Sequence, residues 1–194
     1  TTDVTNRRAE VFGKLGIVFP EKPSRSIGNI LQLTTHQLDS RFGVRTYDAS
    51  QRTLWVQSIY QNTFPASNHE YKLGLNYRLD KWDEKIDSVD RVTTESVPGA
   101  FVEYTYNHDE KFTFVAGGRA DYHNIYGWIW TPRLHARYNL TPEFLVRVAA
   151  GSAFRVPNLY ADNISIFASS RRIILADDIR PERAWNYGFN STCR

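Results

Sequence analysis

A single cysteine, no methionine and no long apolar run define what this 194-residue chain lacks. The lone Cys193 excludes an internal disulfide and every multi-cysteine metal site. Without an initiator methionine or a signal-peptide pattern at Thr1, the start is expected to have been removed by processing or truncation. No stretch approaches the roughly 20 apolar residues of a membrane helix. Transmembrane strands need only about 9–11 residues each, and their alternation hides from a hydropathy average. The net charge is only +3 and the two signs are interspersed, so the basic stripe of a nucleic-acid protein is missing. No Gly-rich phosphate loop, nucleophile elbow or paired-carboxylate arrangement stands out. Asp83, Glu84, Asp87 and Asp90 resemble glycosidase carboxylates only in type, because they fall in an aperiodic charged stretch. The five histidines (36, 69, 108, 123, 135) lack metal-ligand spacing. Neither catalysis nor a cofactor nor a metal is expected.

Aromatic residues, by contrast, make up 14% of the chain, and they fall on alternating positions. Residues 98–153 read as four segments in which apolar and polar residues alternate, the period of a strand with one greasy and one charged face. Val102, Tyr104 and Tyr106 oppose Glu103 and Thr105. Phe112, Phe114, Ala116, Ala120 and Tyr122 oppose Thr113, Arg119, Asp121 and His123. Trp128, Trp130, Leu134, Ala136, Tyr138 and Leu140 oppose Thr131, Arg133, His135 and Arg137. Phe144, Val146, Val148 and Ala150 oppose Arg147.

Upstream, strands are expected over 9–19, 26–38, 51–63 and from Tyr71 to Leu79, and a last one over 180–193. Turns are expected at 20–25, at Pro65-Ala66-Ser67-Asn68, at 107–111 and at 140–143. Long polar loops are expected at 39–50, 81–97 and 154–178, the last with a helical turn over Asn158–Asp162. Short turns alternating with long excursions are the habit of an up-and-down outer-membrane barrel. Tyr and Trp prefer the membrane interface, where an apolar ring meets a wet tip. The alternative is a soluble β-sandwich with an aromatic core, acting as a carbohydrate-binding module or a glycoside hydrolase domain.

Particular runs carry a family resemblance. Pro98-Gly99-Ala100-Phe101-Val102-Glu103-Tyr104, Val115-Ala116-Gly117-Gly118-Arg119-Ala120-Asp121-Tyr122-His123 and Thr131-Pro132-Arg133 are three of them. Val148-Ala149-Ala150-Gly151-Ser152-Ala153-Phe154-Arg155-Val156-Pro157-Asn158-Leu159 and Arg180-Pro181-Glu182-Arg183-Ala184-Trp185-Asn186-Tyr187-Gly188 follow in order. Together they resemble TonB-dependent outer-membrane receptors of the Bacteroidetes type, as does Val11-Phe12-Gly13-Lys14-Leu15-Gly16 earlier in the chain.

The resemblance implies an all-β antiparallel meander, about nine strands of a 22-stranded transmembrane barrel. It makes residues 1–194 an internal fragment without a plug domain. It further implies nutrient import (a siderophore, cobalamin, a glycan or similar). The implied partners are outer-membrane lipid, the receptor's own plug and the TonB energy-coupling protein.

On this reading Phe112, Phe114, Tyr122, Trp128, Trp130 and Tyr138 face lipid, and Arg119, Asp121, Arg133, His135, Arg137 and Arg147 face a hydrated lumen. The reverse orientation would bury several arginines in lipid at roughly 2–4 kcal/mol each. Arg155, Asn158, Tyr160, Arg171 and Arg172 are the extracellular-loop candidates for ligand contact.

Overall fold

The computed structural model describes residues 2–64, 67–109, 111–169 and 180–193. Nine strands follow one another: β1 (Thr2–Phe19), β2 (Lys22–Phe42), β3 (Arg45–Thr63), β4 (His69–Ile86), β5 (Val89–His108), β6 (Phe112–His123), β7 (Gly127–Asn139), β8 (Phe144–Arg155) and β9 (Glu182–Cys193). They form a single sheet in chain order, each antiparallel to the next. The sheet is open, with β1 and β9 at its edges. Among the described residues no helix is long and apolar enough to cross a membrane.

The expected short turns all lie at one end, here the near end. Pro65 and Ala66, in one of these turns, lie outside the described residues. Across that gap Phe64 N donates to His69 O at 2.9 Å. At the far end the expectation fails in two places. Residues 39–50 are not a loop: β2 and β3 run through them to a tight turn at Gly43-Val44, with Gly43 at φ +66°. Residues 81–97 likewise continue β4 and β5 to a turn at Asp87-Ser88. Asp87 holds that turn against β3, its carboxylate accepting from Thr46 N at 2.9 Å. These stretches lack apolar periodicity because the face that is greasy lower down turns polar and exposed here, while Tyr47, Ala49 and Glu84 on the other face are buried. Alternation reports a face that needs a non-aqueous neighbour, and not the strand itself.

The five early strands therefore stand taller than the four late ones. β5 pairs with β6 only over Gly99–His108, leaving its far half exposed as an edge. Asn124 covers part of it, donating from its backbone N–H to Ser96 O (3.1 Å) and from Nδ2 to Thr94 O (2.9 Å), and accepting from Ser96 N (2.9 Å). A side-chain amide thus substitutes for a strand.

Burial runs opposite to that of a water-soluble sheet. Leu75, Trp128 and Trp130 are 61–66% exposed, whereas Asp121 and His123 are fully buried and Asp80 and Glu84 nearly so. The sheet face rich in Leu, Trp, Tyr and Phe has no covering layer among the described residues. Among the described residues no second sheet packs on the aromatics, and the fold is one nine-stranded meander in place of the alternative β-sandwich. Rings on this face gather in two rows. Phe64–Tyr71 (5.0 Å between centroids), His69–Tyr106 (4.9 Å) and Phe112–Tyr138 (6.2 Å) lie near the short turns. Tyr122–Trp128 (5.3 Å), Trp128–Trp130 (6.0 Å) and Trp185–Tyr187 (6.2 Å) lie toward the far end.

Candidate functional site: a charged wall and a strap across its far end

Strand pairing carries every odd-numbered position of β5, β6, β7 and β8 to the face opposite the aromatics. Arg119 pairs with Thr131, Asp121 with Ile129, Gly117 with Arg133, Val115 with His135, and Arg137 with Arg147. All six residues expected to line a lumen therefore share one face, and Phe112, Phe114, Tyr122, Trp128, Trp130 and Tyr138 share the other. On the charged face, small residues let side chains two strands apart meet. Arg133 crosses Gly117 to donate to Glu103, and Lys72 Nζ reaches the other oxygen of Glu103 at 3.2 Å and Glu70 at 3.1 Å. The ring of Phe101 lies directly over Gly74. Above them Arg119 Nε donates to Asp121 at 2.6 Å. Asn76, on β4, accepts from Arg119 Nη2 at 2.8 Å and donates to the Gly99 carbonyl at 3.2 Å. Gly99 is the opening through which these groups pass, since a Cβ there would overlap Asp121 Oδ1 and lie 2.9 Å from the Asn76 amide.

Arg137 and Arg147 are paired directly opposite each other. Arg137 donates to Asn139 at 3.3 Å, and neither Arg147 nor His135 makes an ion pair among the described residues. His135 and Arg147 are exposed and stand outside the lattice, whereas Arg137 is half-buried beside Asn139.

Toward the far end the wall becomes rich in carboxylates. Asp80 accepts from Thr53 and Gln51 and pairs with Arg78 at 3.1 Å. Glu95 stands between Arg78 (3.8 Å) and the buried His123 (3.6 Å). Glu84 accepts from the Tyr47 hydroxyl at 2.7 Å and from Asn158 Nδ2 at 3.1 Å.

Asn158 belongs to the connection after β8, and 156–169 form a strap that folds back over the charged face. The helical turn expected at Asn158–Asp162 is present, with Asp162 N donating to Asn158 O at 2.8 Å, and two short 3₁₀ turns over Ala161–Ala168 continue it, joined at a non-helical Asn163. Phe167, fully buried, stacks on Tyr47 at 5.1 Å and 11° between planes, with Phe42 and Tyr160 beside it. Burial, then the Glu84 carboxylate, pushes the Tyr47 hydroxyl well above its ordinary range, so it remains a donor. Between strap and wall lies a cavity of about 220 Å³, bordered by Trp82, Arg91, Glu95, Tyr126 and Pro157.

The loop candidates fare differently from the wall candidates. Arg155 pairs with Asp162, and Asn158 caps the strap by accepting from Tyr160 N and Ala161 N (3.2 Å each). Tyr160 stands in the aromatic cluster with Arg91 5.7 Å from its ring centre. These side chains hold the strap to itself and to the wall. Arg171 and Arg172 lie outside the described residues. Glu103, Asp80 and Glu95 were not singled out from sequence, although the alternation of its strand already placed Glu103 on the charged face. Glu84 was masked by the appearance of a loop. Among the described residues no cluster of His, Cys, Asp and Glu could hold a metal ion.

A single meander with a greasy uncovered face, two aromatic rows and a hydrogen-bonded charged face is the wall of a transmembrane β-barrel. Residues 14–190 match the family described as TonB dependent receptor-like, beta-barrel. The chain therefore belongs to the β-barrel family of TonB-dependent receptors, proteins of the outer membrane. Over 108 residues it is 32% identical to the iron-regulated outer membrane virulence protein of Vibrio cholerae, a match covering 53% of this chain and 16% of that protein. Among solved structures it resembles the siderophore receptor PirA of Pseudomonas aeruginosa (TM-score 0.61, 19% identity, 81% of this chain and 28% of that one). It also resembles the alcaligin outer-membrane receptor FauA of Bordetella pertussis (TM-score 0.67, 14% identity, 81% and 30%). The fold is shared with both, and the chain spans only about a sixth of the Vibrio protein's length.

Proposed function

We propose that this chain is a stretch of barrel wall in an outer-membrane receptor that takes up a ferric siderophore, with import driven through TonB. The observation that carries the reading is the inverted burial, with Leu75, Trp128 and Trp130 uncovered and Asp121 and His123 enclosed. Phe112 and Tyr122 are ten residues apart on β6. At about 3.3 Å per residue and a tilt of 35–45°, that spacing spans roughly 25 Å, the height of an outer-membrane apolar band. The far end, with the strap, faces outside, and the short turns face the periplasm. Arg119, Asp121, Arg133, His135, Arg137 and Arg147 line the lumen. The interlocked Arg119, Asp121, Arg133 and Glu103 stiffen the wall, while the exposed Arg147 and His135 are placed to meet a plug domain supplied from outside these residues. Iron chelates are favoured among possible cargoes by the names of two of the relatives, an iron-regulated outer membrane protein and a siderophore receptor. The protein is a carrier and not an enzyme.

Deleting the full-length gene should abolish growth on a single ferric siderophore as the only iron source, measured across a panel of chelates, and the intact gene should restore it. Growth unchanged on every chelate would remove the iron reading. The orientation has its own test. Leu75→Arg, near the middle of the greasy face, should destabilise the full-length barrel in lipid by about 2–4 kcal/mol. A neutral result in urea-unfolding measurements would mean that this face meets water.

A further inference from the structure

The greasy face of β3 and β4 ends abruptly. Leu54 and Leu79 are paired opposite each other, and in the next row outward Arg52 is paired with Lys81. Directly opposed residues on one face hold their Cβ atoms about 4.5–5.5 Å apart, where like charges destabilise a sheet. Little on the protein relieves this pair. Lys81 has one partner, Asp83 at 3.8 Å, with both side chains well exposed. Arg52 makes no ion pair among the described residues. The other acids on this face, Asp39, Asp48 and Asp90, are two rows further out, about 13 Å along the strand from the cations, and Asp83 alone stands in the row between. Below the two cations a groove of about 510 Å³ descends between Val11, Leu33, Leu54 and Leu79. An anion that sat between Arg52 and Lys81 would remove their repulsion, and an apolar chain attached to it would fill the groove.

We propose that Arg52, Lys81 and the groove beneath them form a binding site for one outer-leaflet lipid, its phosphate bridging the two cations and an acyl chain lying along Val11, Leu33, Leu54 and Leu79. The proposal rests on the reading of this face as lipid-facing. Its chemistry is specific in two respects. The planar Arg52 guanidinium matches a phosphate with two parallel donors, and Lys81 adds a point charge. The cations stand one row above the last leucines, where the head group of a lipid with its chain in the groove must fall. A free phosphate would use the cations and ignore the groove.

The test uses the full-length receptor, delipidated in dodecyl maltoside and titrated with diphosphoryl lipid A, with bound lipid counted by native mass spectrometry. Arg52→Gln combined with Lys81→Gln should weaken lipid A binding about tenfold or more, the worth of at least one charge-assisted bond. Excess inorganic phosphate should not displace the lipid. Equal binding by variant and parent overturns the proposal, and displacement by inorganic phosphate overturns it in favour of a free-anion site. The same preparations in brominated-lipid bilayers report on orientation through quenching of Trp128 and Trp130, scored against Trp128→Phe/Trp130→Phe. Quenching with unchanged lipid A binding sinks the lipid site alone. Absent quenching sinks the lipid-facing reading and the site with it.

Discussion

Replacing Gly99 by valine should destabilise the barrel by several kcal/mol, although strand preference alone argues the other way. Valine favours a pleated strand, and glycine in a strand interior costs roughly 0.5–1 kcal/mol relative to alanine. Gly99 has an ordinary extended backbone, so no conformational strain opposes the change. What opposes it is the space already taken. A Cβ at Gly99 would overlap a carboxylate oxygen of the fully buried Asp121, which cannot swing aside without leaving Arg119. Overpacking costs about 1–3 kcal/mol. A buried polar group left without its partner adds about 1–3 more.

Gly118→Val supplies the contrast. Gly118 lies on the greasy face with nothing within 4 Å of its Cβ position, so the same substitution there should be neutral or mildly stabilising. Urea unfolding of both full-length variants, followed by heat-modifiable gel mobility, separates the two effects. If Gly99→Val matches Gly118→Val, the contacts through Gly99 do not hold the wall together.

That pair also shows what the sequence made legible. Parity along a strand is a local property, so the faces of Arg119, Asp121, Arg133 and Trp130 could be read from residues 98–153 alone. The purpose of Gly99 and Gly117 could not. Each opens a passage between residues two strands apart, and only the register reveals which side chains pass through it. Residues 39–50 and 81–97 were misread for a different reason. Beyond the bilayer the outward face of a strand is wet and its apolar alternation vanishes, while its hydrogen bonds continue. Asn158 and Tyr160 stand out in sequence as loop residues, but their partners Glu84 and Tyr47 sit on β4 and β3, far away in sequence. Nothing short of the fold joins them.

The strap that they anchor should come off the wall as a unit when Phe167 becomes alanine. Truncating a fully buried phenylalanine costs about 3–5 kcal/mol. Two 3₁₀ turns with poor hydrogen-bond geometry cannot supply that from their own backbone, and local opening requires far less than global unfolding. The sheet should therefore stand while residues 156–169 detach. Amide exchange across 156–169 should accelerate strongly, with exchange in β5 and β6 unchanged. Tyr47 gives an independent optical signal. In the intact protein its hydroxyl holds its proton beyond the usual tyrosine range, because burial and Glu84 both disfavour the phenolate. Once the strap has gone, Tyr47 should titrate near 10, the value of an exposed tyrosine. The sign of the linkage follows. A folded-state pKa raised above the unfolded one means that the anchoring is complete below about pH 10 and is lost as pH climbs toward the raised value. Alkaline titration of the intact protein should consequently release the strap through the same exchange signature as Phe167→Ala at neutral pH. Retention of strap protection in the variant, or collapse of β5 and β6 along with it, would show that Phe167 is not the anchor.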